Sequence, residues 1–181
     1  MDKILIEFGD TMVKYDHRNM AKHHSENSTD ADNQQERLGM GHWISGFSDG
    51  EGCFTISVIR NLTTRFGKQI FPEFVITQGA KSLSALEKIK KFFGCGSIVL
   101  NKRYDNHNEH LYRYCVRSIS DLQTKIVPFF NNFPLRTYKR NDFLIFKKAL
   151  AMMVKKKHLT ESGWEKILAL ASSMNRRKKR F

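Results

Sequence analysis

The nine residues Ile44-Ser45-Gly46-Phe47-Ser48-Asp49-Gly50-Glu51-Gly52 limit what this chain can fold into more than any other stretch. Met40, Trp43, Ile44 and Phe47 recur at helical spacing, which predicts a short helix from Gly39 to Gly50. A glycine weakens a solvent-exposed helix by up to about 1 kcal/mol. Gly50 and Gly52 serve well as a helix end, but Gly46 lies in the middle, where a small residue suits the close approach of another backbone. Such a helix needs a partner. Its glycine-rich end also carries two carboxylates, Asp49 and Glu51, in a chain with 31 Lys and Arg against 18 Asp and Glu and a formal net charge of +13. A surface this basic attracts polyanions, so an acid facing phosphate is repelled unless a divalent cation lies between them.

With 181 residues and 40 % hydrophobic content the chain has room for one ordinary domain with a core. No run approaches the roughly eighteen apolar residues of a membrane span, and Asp2, Lys3 and Glu7 interrupt any signal-peptide core. A soluble intracellular protein, with no membrane partner, is expected. Cys53, Cys95 and Cys115 are odd in number, far apart and without zinc-finger spacing, which predicts reduced, buried thiols. Charge is uneven: the first 42 residues hold five Lys or Arg against eight Asp or Glu, so the body from Trp43 onward carries +16. Within that leader, His23 to Arg37 has no apolar residue except Ala31 and reads as a polar linker, while Met1 to Tyr15 suits a short strand or docking segment. The expected division is a leader over 1–38, a domain over 39–175 and a basic tail over 176–181.

After the helix, Cys53 to Arg60 alternates Phe54, Ile56 and Val58 with Thr55 and Ser57, the pattern of a half-buried strand. A polar loop leads to a second strand, Ile70 to Gln78, with Pro72 near its start. Ser82 is expected to cap a helix running to Phe93, stopped by Gly94 to Gly96. Ser97 to Lys102 and Leu111 to Ser118 form a second hairpin, whose last strand sets Tyr112, Tyr114 and Val116 against Arg113, Cys115 and Arg117. Helices follow from Ser120 or Asp121 to Asn131 or Asn132, from Asp142 to Lys155, and from Thr160 to Met174. The fold class is therefore α+β, an αββαββα saddle with an antiparallel, basic sheet face suited to duplex DNA, helices on its back and extra C-terminal helices.

The segment ISGFSDGEGCF beginning at Ile44 resembles the signature of the LAGLIDADG homing endonucleases, with one motif per chain. The resemblance extends over most of residues 40–175, through FVITQ from Phe74, PLRTYKRNDFLIFKKAL from Pro134 and HLTESGWEKILALASSMN from His158. It implies that two motif helices pack together and that each delivers one acid, here Glu51, to divalent metal at the scissile phosphates. Mg²⁺ (or Mn²⁺) is the implied cofactor, with the Gly50 carbonyl as second ligand. Asp49 matches the family's first acidic position, assigned here to helix capping and the subunit interface in preference to metal binding, because residues two apart do not share a helix face. Ile44, Ser45, Gly46 and Phe47 complete the expected interface. A single motif implies a homodimer and a pseudo-palindromic double-stranded target; half of a heteromeric or split enzyme is the alternative.

The resemblance also places Gln78 near the attacking water and Lys139 near the scissile phosphate; the plainer readings are a surface amide and a phosphate-binding lysine. Exposed strand positions expected to meet bases are Thr55, Ser57, Ile59, Asn61, Glu73, Val75, Thr77, Val99, Asn101, Arg113, Cys115 and Arg117. Arg65, Lys68, Lys102 and Arg103 are expected on phosphate, and the terminal run Arg176 to Arg180 reads as a nonspecific phosphate arm. The function expected is site-specific double-strand cleavage in intron homing, in an organelle or a bacterial cytoplasm. The rivals are an intron RNA maturase and a non-cutting DNA-binding protein of the same fold.

Overall fold

The computed structural model describes residues 17–101 and 110–174. The chain divides into two units after Met40. Helix α1 runs from His17 to Glu51, so the motif helix is much longer than its apolar pattern suggests. The stretch expected as a polar linker, His23 to Arg37, lies inside this helix. Its polarity argued against burial, but His17 to Leu38 contains neither Gly nor Pro, so nothing in it breaks a helix, and residues 32–39 are exposed as a helix polar on all sides should be.

From Gly41 onward the order is the expected one. Strand β1 (Gly52–Arg60) and β2 (Lys68–Gly79) form a hairpin, followed by a 3₁₀ turn and α2 (Leu83–Phe93). Strands β3 (Ser97–Asn101) and β4 (Leu111–Val116) form the second hairpin. The four strands make one antiparallel sheet in the order β1-β2-β4-β3. Pairing of β2 with β4 begins at Phe74, so Pro72 lies outside that ladder, although it is paired with Ile56 of β1.

Helical turns α3 (Ile119–Asp121), a π-turn at Leu122–Ile126 and α4 (Val127–Asn132) run on without a break. The π-turn ends two residues before Pro128, whose absent N–H removes a rung of the helical ladder. Helices α5 (Lys139–Val154) and α6 (Glu161–Ser173) complete the fold. Two caps differ from expectation. Ser82 makes no side-chain cap bond, because the chain enters α2 through a 3₁₀ turn, whereas Ser118 accepts from the Asp121 N–H and starts α3. Helix α5 starts at Lys139 rather than Asp142, a shift that brings Lys139 to its first turn. Thr160 caps α6 as expected, accepting from the Gly163 N–H, and Gly94 ends α2 in the left-handed conformation at φ 58°.

One sheet face carries the core. Cross-strand pairing lines up Phe54, Phe74 and Val116, with Ile76 against Tyr114 beside them. Phe130 and Phe146 close on Phe54 with ring centroids 5.3 and 5.4 Å away, and all of these rings are essentially inaccessible to water. Each such ring contributes roughly 2–3 kcal/mol by leaving water, so the aromatic packing of α4 and α5 on the sheet fixes where the motif helix must end.

Candidate active site at the end of helix α1

Two faces of α1 meet different surroundings in its last turns. Ile44 is fully buried and Ser45 is 6 % exposed, with its hydroxyl donating to the Phe133 carbonyl at 3.0 Å. Ser48 is fully buried as well, and its hydroxyl has no hydrogen-bond partner among the described residues. Asp49 reaches across to the loop before α5: its Oδ2 accepts from the Arg136 N–H at 2.6 Å and its Oδ1 from the Thr137 hydroxyl at 2.7 Å and N–H at 3.3 Å. Burial alone would raise the Asp49 carboxyl, but these donors outweigh it and hold it below the usual carboxylate value. Of the residues expected at a dimer interface, Ile44, Ser45 and Asp49 therefore turn their side chains into their own domain.

The opposite face is open. A Cβ built on Gly46 or Gly50 meets nothing within 4 Å, whereas one on Gly41 would run into the Phe133 ring. Trp43 is 39 % exposed and stacks on Phe47 at 5.3 Å. Trp43, Gly46, Phe47 and Gly50 share one face by helical spacing.

Glu51, the last residue of α1, is exposed and makes no hydrogen bond or ion pair among the described residues. The next residue already begins β1, and this abrupt change of direction requires glycine: a Cβ on Gly52 would lie 2.8 Å from the Ser48 carbonyl oxygen. Lys139 completes the corner. Its ammonium donates to the carbonyls of Ser48 at 3.0 Å and Gly50 at 3.2 Å, the natural place for a cation at a helix C-terminus. Burial holds its pKa below that of an ordinary lysine, against the opposing pull of Cys53, Asp49 and Glu51. Gln78 is half-buried near the end of β2, two residues beyond Ile76, which pairs with Gly52, and it is paired with Tyr112 of β4. Glu51, Gly50 and Lys139 gather at one corner, and no hydrogen bond among the described residues ties Gln78 to them.

The donors there suit a hard divalent cation only in part. Among the described residues no group of three His, Cys, Asp or Glu could enclose a metal. One free carboxylate and a carbonyl match the sparse protein ligation of Mg²⁺, which keeps waters and takes phosphate oxygens as further ligands. The Gly50 carbonyl, though, already accepts from Lys139.

The pairing register brings Thr55, Ser57, Ile59, Glu73, Val75, Thr77, Val99, Asn101, Arg113 and Cys115 to the sheet face away from the core. Three expectations change in detail. Asn61 is engaged in its own loop, donating to Gln69 Oε1 at 2.9 Å and accepting from the Thr63 N–H and hydroxyl. Arg113 and Arg117 are not free guanidiniums, since both bind Glu73, at 2.9 and 2.6 Å. Val75 and Cys115 are buried on this face rather than open to a partner. Arg65 lies in the β1–β2 loop over the Phe66 ring, and Lys68 is exposed at the start of β2. Lys102, Arg103 and the run Arg176 to Arg180 lie outside the described residues. None of the three cysteines is in a disulfide; Cys115 is buried, Cys53 and Cys95 half-buried. No described helix is long and apolar enough to cross a membrane.

Glu73 as a bridge between two arginines is the site feature missed in the sequence. Its only signal was an acid in the otherwise apolar strand IFPEFVITQ.

Comparison with known proteins gives a consistent picture. The sequence pattern described as LAGLIDADG endonuclease matches residues 44–150. A probable intron-encoded endonuclease 2 of Neurospora crassa is 35 % identical over 136 residues, which is 75 % of this chain and 27 % of that protein. The chain spans about a quarter of the length of the first curated relatives it matches. Among solved structures, the homing endonuclease I-TnaI superposes with a TM-score of 0.67 at 43 % identity, covering 75 % of this chain and 87 % of that one. I-LtrWI, a LAGLIDADG homing endonuclease bound to its target DNA, gives 0.69 at 33 % identity over 74 % of this chain and 43 % of that one. With its motif helix, sheet order and downstream helices all in the matching places, the chain belongs to the LAGLIDADG endonuclease family.

Proposed function

We propose that the protein is a site-specific DNA endonuclease that cuts both strands of a pseudo-palindromic duplex as a homodimer, using divalent metal, in the homing of an intron. The observation that carries this reading is the bare Glu51 carboxylate at the corner between α1 and the sheet, in a chain whose net charge is +13. A carboxylate left unpaired in so basic a protein repels the DNA that the rest attracts, and a metal-bridged phosphate resolves the conflict.

When bound, the ion supplies Lewis acidity at the phosphate and lowers the pKa of its water. Glu51 would hold it, with the Gly50 carbonyl able to join through the lone pair that Lys139 does not occupy. Lys139, an ammonium held at the end of α1 by the Ser48 and Gly50 carbonyls, donates hydrogen bonds to the developing charge on the phosphate. Gln78, near the end of β2, orients the attacking water. The open face of Trp43, Gly46, Phe47 and Gly50 receives the same face of a second copy, bringing a second Glu51 to the second strand. Thr55, Ser57, Thr77, Asn101 and Arg117 meet base edges, while Arg65, Lys68, Lys102 and Arg103 hold phosphate.

The test is a plasmid carrying the joined flanks of the gene's intron. Purified protein with Mg²⁺ linearises it, and Glu51→Gln binds the same site without cutting. Binding or stimulated splicing with no cleavage of any candidate site would instead point to a non-cutting binder or an RNA maturase.

A further inference from the structure

The sheet face expected to meet DNA has a carboxylate near its centre. Glu73 is 7 % exposed, lies opposite Thr55 on β1 and holds two guanidiniums at once. The two are held differently. Arg113 donates to Oε2 through Nη2 at 2.9 Å, while Arg117 donates to Oε1 through Nε at 2.6 Å. An arginine bound through a terminal nitrogen has given up part of its end-on fork. One bound through Nε keeps both terminal amino groups free and side by side, the arrangement that matches O6 and N7 of guanine in the major groove.

Arg117 is also steadied from a second side, with its guanidinium carbon 5.6 Å from the centre of the Phe71 ring. Its side chain is 43 % exposed, against 31 % for Arg113; it donates to Glu73 through Nε, and the Cys115 thiol lies beside the guanidinium as a weak further partner. Glu73 has both oxygens engaged and is almost covered, so it is poorly placed to accept from a cytosine amino group itself.

We propose that Glu73 is a positioning residue that fixes Arg117 with its terminal fork outward to read one guanine in each half-site, while Arg113 neutralises the buried carboxylate. Glu73 thereby sets sequence preference without touching DNA. The inference rests on the proposed DNA-binding role of this sheet face.

The experiment is selection from a pool of randomised duplexes with the full-length Glu51→Gln protein, so that bound DNA stays whole, followed by affinity measurements on the best duplex and its single-base variants. We expect one guanine per half-site whose replacement weakens binding roughly 5- to 100-fold. Arg117→Lys and Glu73→Gln, added separately, cut that preference to less than about threefold, and Arg113→Lys keeps it. Circular dichroism checks each fold, and if Glu73→Gln does not fold, the two arginine variants decide. Preference retained in Arg117→Lys, or lost in Arg113→Lys instead, overturns the assignment. Equal weakening of Arg117→Lys on all duplexes marks a phosphate contact and overturns it too. If the parent protein enriches no duplex at all, the DNA-binding role fails and this assignment falls with it, an outcome distinct from selection without the guanine.

Discussion

The two faces of the last turns of α1 have the same backbone and opposite fates. On the inner face, Ser45 donates to the Phe133 carbonyl, Asp49 accepts three hydrogen bonds from Arg136 and Thr137, and Ile44 is sealed in the core. On the outer face, Gly46 and Gly50 have nothing near them among the described residues and Trp43 and Phe47 are exposed or half-exposed, while Glu51, at the end of the helix, makes no hydrogen bond or ion pair among the described residues. Two carboxylates two residues apart therefore do different work. The inner acid secures the domain and the outer one is left available for chemistry.

The sharpest way to break that contrast is to exchange the consequences of the two acids. Glu51→Gln should lower plasmid cleavage by roughly 10³-fold or more, while its urea midpoint stays at the parent value. A large loss of stability would place Glu51 among the structural acids. Asp49→Ala should do the reverse in the first instance, costing about 1–2 kcal/mol in urea unfolding, because it leaves two backbone N–H groups and a hydroxyl without their charged acceptor at a partly exposed site. Unchanged stability in that variant would remove the inner face's role.

The glycines allow a parallel comparison. Gly41→Ala must displace the Phe133 ring and should destabilise the domain by about 1–3 kcal/mol. Gly46→Ala meets no atom of its own chain, so the monomer should gain up to about 1 kcal/mol of helix stability. A shift toward monomer in sedimentation would show that the gain comes at the expense of pairing; a dimer as strong as the parent's would remove Gly46 from the interface.

The smallest expected effect is a pH dependence. Asp49 is held below its ordinary value in the folded chain, so its contribution is complete above the unfolded value of 3.8 and fades as pH falls through the folded one. The stability gap between the parent and Asp49→Ala, measured by urea unfolding, should therefore be constant from pH 7 to about 5 and narrow near pH 3. A gap that widens on acidification would mean that Asp49 does not act as a charged acceptor.

Element order and the position of Glu51 were legible because both depend on local pattern: alternating strands, helical spacing and glycine at the helix end. Sidedness was harder. Ile44, Trp43 and Phe47 are all apolar, and helical spacing alone does not say which of two apolar flanks faces the chain's own core, so Ile44 and Ser45 went to the interface. Asp49 was read as a cap, but its partners lie 87 and 88 residues away and belong to a loop that no local pattern connects to it. The polar leader was read as a linker because low apolar content predicts lack of burial, which is not the same as lack of helix. Strand alternation put Glu73, Arg113 and Arg117 on the right face. The β2–β4 register sets Arg113 opposite Thr77, and only the side-chain hydrogen bonds reveal that both arginines meet Glu73.

The join at Gly52 gives the molecule a ruler without a joint. Glu51 ends the helix and Gly52 begins the strand, with Ser48 pressed against the turn, so no loop separates the end of α1 from Thr55 on the outer sheet face. Under the proposed function, the spacing along DNA between the phosphate to be cut and the first base to be read would be written into the covalent chain. One residue inserted after Gly52 would turn Thr55 and Ser57 inward and Phe54 outward, so this family member can change which bases it reads far more readily than how far from the cut it reads them.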